Sequence, residues 1–354
     1  MLPFKYIFTV VIVCFLACCT ACKSKINKSN SSELLIGFYN LDNLYDIYDD
    51  PKTFDNDFTP NGMYKWDEER YTSKLNKLSE VIQSIDGQNS PDVLGVCEVE
   101  NKNVLNDLIT QKAFHKSYAV IHEDSKDERG ADVGLIYNSD LLDLIEYQSF
   151  DVELSKNEKD ETRSILWVKL KTQNNIDTFQ FIVCHFPSRR EGLKKSEQNR
   201  IDAAKRCREI IDKKCKLQSE NLIVLGDFND QPGNVSLKQY IGAVEFKGLS
   251  ARASDLFNLM IGFEEKNQGT YFYKGHWNVL DQILISSALT DGKQAEYVDA
   301  SIGIKKEDWM IQTGKYKGYP LRTFGGKEWL NGYSDHLPIY MKIRITANNG
   351  KEKG

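Results

Sequence analysis

Four apolar runs in this chain each stop on a side chain able to do chemistry, and that pattern constrains the fold more than any other feature. The run 34–39 stops at Asn40, 93–97 at Glu98, 181–184 at His185, and 222–226 at Asp227, with Asn229 two residues on. Two further runs begin on such groups: Asp281 precedes 282–285, and Asp335 and His336 precede Leu337 and Ile339. Short apolar runs bounded by polar residues read as buried strands. If the last two strands run opposite to the first four, all of these groups meet at one edge of the sheets. Side chains held at strand ends are rigidly placed, which suits catalysis. One polar residue at a strand end is ordinary surface; six such positions bearing carboxylates, imidazoles and carboxamides are not.

Amphipathic stretches separate the runs. Residues 66–85 place Tyr71, Leu75, Leu78, Ile82 and Ile85 on one helical face, with Asp67 as cap and Glu68 and Glu69 in the first turn. Residues 197–214 place Ile201, Ala204, Cys207 and Ile211 on one face in the same way. Runs at 133–137, 165–170, 280–285 and 338–345 read as further strands. No Pro/Gly/Ser-rich linker divides the body and no short-period repeat occurs. Many strands with interspersed helices predict one α/β (α+β) domain with buried sheets over 33–346. Residues 347–354 are expected to form a disordered tail.

The first 22 residues stand apart. Lys5 precedes an apolar run from Ile7 to Ala21, broken only by Thr9 and Thr20. At about 15 residues it is shorter than the ~20 of a membrane span. A charged start, an apolar middle and small residues at the end predict a secretory signal over 1–22. Its close, Cys19-Thr20-Ala21-Cys22, resembles a bacterial lipoprotein signal. That implies lipidation of Cys22, with Cys18 as the alternative, and an exported, membrane-anchored protein, periplasmic or at the cell surface. Residues 23–32 are polar and read as a flexible tether.

Of the four cysteines outside the signal, Cys97 and Cys184 lie in strands and read as small buried hydrophobes. Cys207 and Cys215 are eight residues apart on a helix, about 12 Å along its axis and too far to bridge. No cysteine pair has zinc-site spacing. The net charge of −5 excludes a generally basic nucleic-acid coat, so an anionic substrate must be drawn in by a local patch or a bound cation.

The strand-end groups are not those of a thiol or serine nucleophile site. There is no Gly-x-Ser-x-Gly elbow and no phosphate-binding Gly-x-x-x-x-Gly-Lys-Ser/Thr loop. Oxygen-rich ligands suit Mg²⁺ or Mn²⁺, with Ca²⁺ as an alternative, rather than zinc. A hard cation beside an imidazole and an Asp is equipment for hydrolysing phosphate esters.

Six segments carry a family resemblance: Phe38-Tyr39-Asn40-Leu41-Asp42-Asn43, Val96-Cys97-Glu98-Val99, Val183-Cys184-His185-Phe186, Gly226-Asp227-Phe228-Asn229, Leu280-Asp281-Gln282-Ile283-Leu284 and Tyr333-Ser334-Asp335-His336-Leu337-Pro338. In this order, spanning 32–345, they resemble the endonuclease/exonuclease/phosphatase superfamily, deoxyribonuclease branch included. The resemblance implies a four-layer sandwich of two mixed β-sheets flanked by helices. It implies that Glu98 is the main metal ligand, with Asn40, Asp42 and Asp335 as nearby ligands or metal-water contacts. Asp227 is then the group that orients or deprotonates the attacking water, helped by Asn229. His336, held by Asp281, stabilises charge on the phosphate, and His185 is the second histidine of the deoxyribonuclease branch. Two departures stand out: Cys97 replaces the usual Gln before the Glu, and Gln282 follows Asp281 where an aromatic or His is frequent.

Arg129 and Arg163 are further candidates for binding phosphate, and Asp132 for reaching the site. His122 and His115 read as loop residues without a role, and His276 as a residue of the site entrance at most. The segment 315–332 interleaves Lys315, Lys317, Arg322 and Lys327 with Tyr316, Tyr319, Phe324 and Trp329. Such a segment suits nucleic-acid contact, or equally a loop that buries its aromatics. The expected activity is metal-dependent hydrolysis of DNA or RNA by a monomer. The alternatives are a phosphatase or sphingomyelinase-type esterase acting on lipid or small phosphate esters, and a catalytically silent surface module.

Overall fold

The computed structural model describes residues 31–346 apart from 88, 113, 157–160, 175–176, 191, 249–255 and 294. The signal, the tether as far as residue 30, Cys22 and the tail lie outside the described residues. No helix among the described residues is long and apolar enough to cross a membrane.

Two large sheets dominate. The first contains β1 (Ser31–Leu44), β2 (Val93–Val99), β3 (Tyr118–His122) and β4 (Asp132–Asn138). The second begins with β5 (Leu142–Phe150), β6 (Ile165–Thr172), β7 (Thr178–His185) and β8 (Asn221–Asp227). It is completed by β9 (Ala243–Glu245), β10 (Leu256–Asn258) and, after a hairpin of β11 (Tyr271–Tyr273) and β12 (His276–Asn278), by β13 (Asp281–Ser286). The chain then returns to the first sheet with β14 (Ala295–Tyr297) and β15 (Gly303–Ile304). A small hairpin, β16 (Phe324–Gly325) with β17 (Glu328–Trp329), precedes β18 (Ile339–Thr346). The strand orders are β14-β18-β1-β2-β4-β3, with β15 also on β18, and β5-β6-β7-β8-β13-β10-β9.

Period-two alternation explains the layers. Ile36, Phe38, Phe181, Val183, Ile223 and Leu225 point into one core between the sheets. Their neighbours Leu35, Tyr39, Leu94 and Val96 point outward, onto Leu75 and Leu78 of α1 (Glu68–Ser84) and Val104 of α2 (Lys102–Ile109). On the other side Ile182, Cys184, Leu222 and Val224 meet Ala204, Cys207 and Ile211 of α3 (Glu197–Lys214). The result is helix, sheet, sheet, helix: the four layers expected. Every central strand is apolar on both faces because both faces are covered. At Gly95 the sheets come so close that a Cβ would lie 1.9 Å from Leu225 Cδ1.

Asp67 caps α1, its side chain accepting from the Arg70 amide, as the sequence predicts. The strand directions also match: β1 is parallel to β2, β7 to β8, while β18 is antiparallel to β1 and β13 to β8. The C-terminal ends of β1, β2, β7 and β8 therefore share an edge with the starts of β13 and β18.

Candidate active site

That edge collects side chains from both sheets. Asn40, Asp42 and Glu98 come from β1 and β2, and Asp335 and His336 from the turn into β18. His185, Asp227 and Asp281 come from β7, β8 and β13 of the second sheet, and Asn229 lies just beyond β8. Two hydrogen bonds tie the halves together. Asn40 Nδ2 donates to Asp227 Oδ2 at 3.2 Å, and His336 Nδ1 lies 2.6 Å from Asp281 Oδ2. Asn40 Nδ2 also reaches Glu98 Oε1 at 3.2 Å, and the Asn43 amide donates to Glu98 Oε2 at 3.1 Å.

The backbone is bent to aim these groups. Asp42, Asn43, Glu98 and Asn229 all have φ between 50° and 59°, in the left-handed region. Glu98 sits where β2 loses register against β4. Such conformations cost energy and collect at functional sites. Asn229 is fixed twice: its amide donates to Asp227 Oδ1 at 2.8 Å and its Nδ2 to Phe186 O at 3.0 Å.

Electrostatics separates the two histidines. Burial alone would lower His336, but Asp281 and then Asp227, 3.8 Å from its Nε2, raise it well above the ordinary histidine value. It is held as imidazolium. His185 is pushed the other way, by burial and then by Arg163 and Arg129, and is neutral. Arg163 contacts His185 Nε2 at 3.4 Å. A guanidinium only donates, so this contact uses the Nε2 lone pair. Asp227 is raised to about 7 by burial, against the pull of His336. A carboxylate and an imidazolium with such values can take a proton from water and donate one hydrogen bond to a phosphoryl oxygen.

Several residues here carried no site signal in sequence. Arg322 lies 2.9 Å from Asp335 Oδ2 and 3.5 Å from Asp42 Oδ1. The interleaved basic and aromatic run at 315–332 was its only trace. Lys74, fully buried on α1, donates to Asp42 O, Thr323 Oγ1 and Tyr333 O. Thr270 Oγ1 accepts from the Leu280 and Asp281 amides, and Tyr271 places its ring 4.9 Å from that of His336.

Of the weaker candidates, Arg163 is buried at the site, with Asp127 Oδ2 3.4 Å from its Nε. Arg129 lies 3.5 Å from Asp127 and its carbonyl accepts from Tyr45 Oη. Asp132 does not join the constellation: its carboxylate faces Ser125 and His122. His122 is no loop residue; it ends β3 and is buried. His276 is exposed on the β11–β12 hairpin, and His115 hydrogen-bonds Gln83 at the surface. Cys97 and Cys184 are buried and free, as are Cys207 and Cys215. The 315–332 loop divides between its two readings: Phe324 is buried, whereas Tyr316 is half exposed.

The donors fit a hard divalent cation. Glu98 and Asp335 are carboxylates still about one-sixth open (17% and 18% exposed), and a guanidinium already lies between Asp42 and Asp335. Asp227, Asp281 and His336 also present ligand atoms within 4.8 Å of one another. There the imidazole is protonated and bound to Asp281, so it has no lone pair to offer a metal.

A family model described as "Endonuclease/Exonuclease/phosphatase family" matches residues 35–345. No curated protein matches the chain. Among solved structures, D. rerio TDP2 complexed with a single-strand DNA product is similar at 14% identity and TM-score 0.54, over 88% of this chain and 99% of that one. A Bacteroides thetaiotaomicron mannosyl-6-phosphatase is similar at 17% identity and TM-score 0.53, again over 88% and 99%. Truncated Caenorhabditis elegans TDP2 aligns at 13% identity and TM-score 0.51, over 89% and 98%. At these identities the likeness is one of fold.

Proposed function

Because the chain belongs to the endonuclease/exonuclease/phosphatase family, and is thereby a hydrolase of phosphate esters, we propose that it cleaves phosphodiesters of DNA or RNA with the constellation at the shared sheet edge. The observation that carries this is the juxtaposition of the His336–Asp281 pair with Asp227 across the two sheets. Asp227 takes a proton from the attacking water while Asn229 fixes that carboxylate. As the P–O bond to the leaving oxygen breaks, that oxygen takes a proton from solvent, and His336 donates a hydrogen bond to a non-bridging oxygen whose charge grows. Arg163, aimed by Asp127, and Arg129 bind the phosphate. Glu98, with Asp335, Asp42 and Asn40 beside it, would hold Mg²⁺ or Mn²⁺, which would supply charge to neutralise the phosphate. Neutral His185, its Nε2 lone pair turned to Arg163, helps position that guanidinium without carrying charge of its own.

Nucleic acid is favoured by an aromatic track leaving the site: Tyr271 lies against His336, and Tyr273, half exposed, stacks near Tyr271 with centroids 6.4 Å apart. Successive aromatic faces suit base stacking. The second reading, a phosphatase or esterase for lipid or small phosphate esters, is favoured by the net charge of −5, which does not attract a polyanion. The fold serves both kinds of substrate: one neighbour was solved with single-strand DNA and another is a sugar phosphatase. A signal over 1–22, lipidation of Cys22 and a tether from 23, ending where Ser31 and Ser32 join β1, would put a monomeric domain at a membrane outside the cytoplasm. Mass spectrometry of the membrane-extracted chain beside Cys22→Ser tests the anchor.

The deciding assay is plasmid nicking by the purified full chain with Mg²⁺ or Mn²⁺, beside Asp227→Ala. Metal-dependent nicking lost in the variant supports the nuclease. A folded, metal-bound chain that hydrolyses sugar phosphates or sphingomyelin but leaves plasmid intact supports the second reading.

A further inference from the structure

A cleft of about 580 Å³ lies apart from the catalytic constellation. Nine of its lining residues are Asp or Glu and two are Lys, so its field is negative and draws cations. One of those lysines, Lys126, is already engaged by Asp151 at 2.7 Å. Two of the cleft's lining residues, Asp124 and Asp132, flank His122, the last residue of β3. The imidazole is 98% buried, and its Nε2 has no hydrogen-bond partner. A buried polar atom with no partner is costly and calls for an unseen ligand. Two carboxylates flank the ring: Asp132 Oδ2, 3.7 Å from Nε2, and Asp124 Oδ1, 3.7 Å from Nδ1.

We propose that His122, Asp124 and Asp132 form a second divalent-cation site, for an ion of the zinc class, which clasps the loop between β3 and β4. The separations are too long for hydrogen bonds. An ion takes only one nitrogen of the ring, and the separation from the unpartnered Nε2 to Asp132 Oδ2 is close to the roughly 3.4 Å between two ligand atoms that share one tetrahedral ion with bonds near 2.1 Å. One ligand atom from each residue lies within 4.8 Å of the other two. Burial lowers His122 to about 4, so at neutral pH it offers a lone pair instead of a charge. Burial raises Asp132 to about 7, and a cation beside it would favour its ionised form. An imidazole with two carboxylates suits zinc-like ions, whereas Mg²⁺ and Ca²⁺ prefer oxygen alone.

The clasp acts on the phosphate-binding side of the active site. The loop it closes carries Asp127 and Arg129, and Asp127 aims Arg163, which contacts His185. The ion is a positioning device and touches no reacting atom.

Zn²⁺ titration calorimetry on the full chain, with bound zinc counted after gel filtration, tests the site. Glu98→Gln serves as the background, to weaken the catalytic metal site. Against that background, His122→Ala should remove one equivalent of zinc, and Asp124→Asn should weaken the same equivalent at least tenfold. Asp124 is 85% exposed, so its replacement does not threaten folding and decides the matter if His122→Ala fails to fold. Zinc binding of unchanged stoichiometry and affinity in Asp124→Asn and in folded His122→Ala would overturn the proposal. So would a background protein that binds no zinc.

Discussion

A buried imidazole is normally neutral, because burial penalises its charged form. His336 escapes that outcome because two carboxylates, Asp281 at 2.6 Å and Asp227 at 3.8 Å, outweigh its desolvation. Its donor role therefore persists well above the usual histidine range and is lost only as pH rises through the raised value. Asp281→Asn removes the larger attraction, so the alkaline limb of kcat/KM should move down by a unit or more. A limb that stays in place would assign it to another group. In the proposed mechanism the acid limb belongs to Asp227, which must be ionised, so activity should fall as pH drops through its raised value, about 7 before metal binds. Asp227→Asn should cost about 10²- to 10⁴-fold in kcat, read by the same assay. Such residues were legible in the sequence because each ends or begins an apolar run. Arg322, Lys74 and Thr270 were not. They sit in loops or on a helix's inner face, and only the packing of distant segments makes them neighbours of the site.

Strands place the site, and one glycine and one lysine keep their ends in position. Gly226 precedes Asp227 on β8, and a Cβ there would lie 2.2 Å from Cys184 O on β7. Gly226→Ala must spread β7 from β8 and should cost about 3 kcal/mol or more in urea unfolding, by overpacking and lost ladder bonds. Lys74 joins α1 to the end of β1 and to the segment that carries Asp335. Lys74→Met should cost about 2–4 kcal/mol, since it removes the donor to the carbonyls of Asp42 and Tyr333 and leaves Asp42 with Arg322 alone as its cation. The same variant should weaken Mg²⁺ binding by calorimetry, which a merely local cavity would not do. Elements with a strong period were readable in advance: α3 runs from Glu197 to Lys214 as expected, and α1 starts at its Asp67 cap. β5 escaped notice because its middle is exposed, with Leu144, Ile145 and Tyr147 all facing solvent and no alternation left to read. Strands of two or three residues, such as β9 and β15, are too short to carry a period.

At the scale of the molecule, the site is a seam between two sheets that share one core. Glu98, Asp42 and Asp335 come from the first sheet, Asp227 and Asp281 from the second, and five carboxylates close together favour separation of the sheets at that edge. The hydrogen bonds Asn40–Asp227 and His336–Asp281 oppose it. A divalent ion at Glu98 would oppose it further by cancelling charge on both sides. An ion that binds only the folded chain stabilises it by about 2.7 kcal/mol at one hundred times its dissociation constant. With about 2 cal/mol/K of unfolding entropy per residue, that is a rise of roughly 4 °C in Tm for a domain of this size. Because Ile36, Phe38, Phe181 and Leu225 lie in a single cluster, the rise should appear in one cooperative transition. Calorimetry with Mg²⁺, with chelator, and with Glu98→Gln makes the comparison. Chelator should remove the rise in the native chain and do nothing to the variant. Two separable transitions, only one of them metal-sensitive, would mean that the sheets unfold independently and that the ion does not act across the seam.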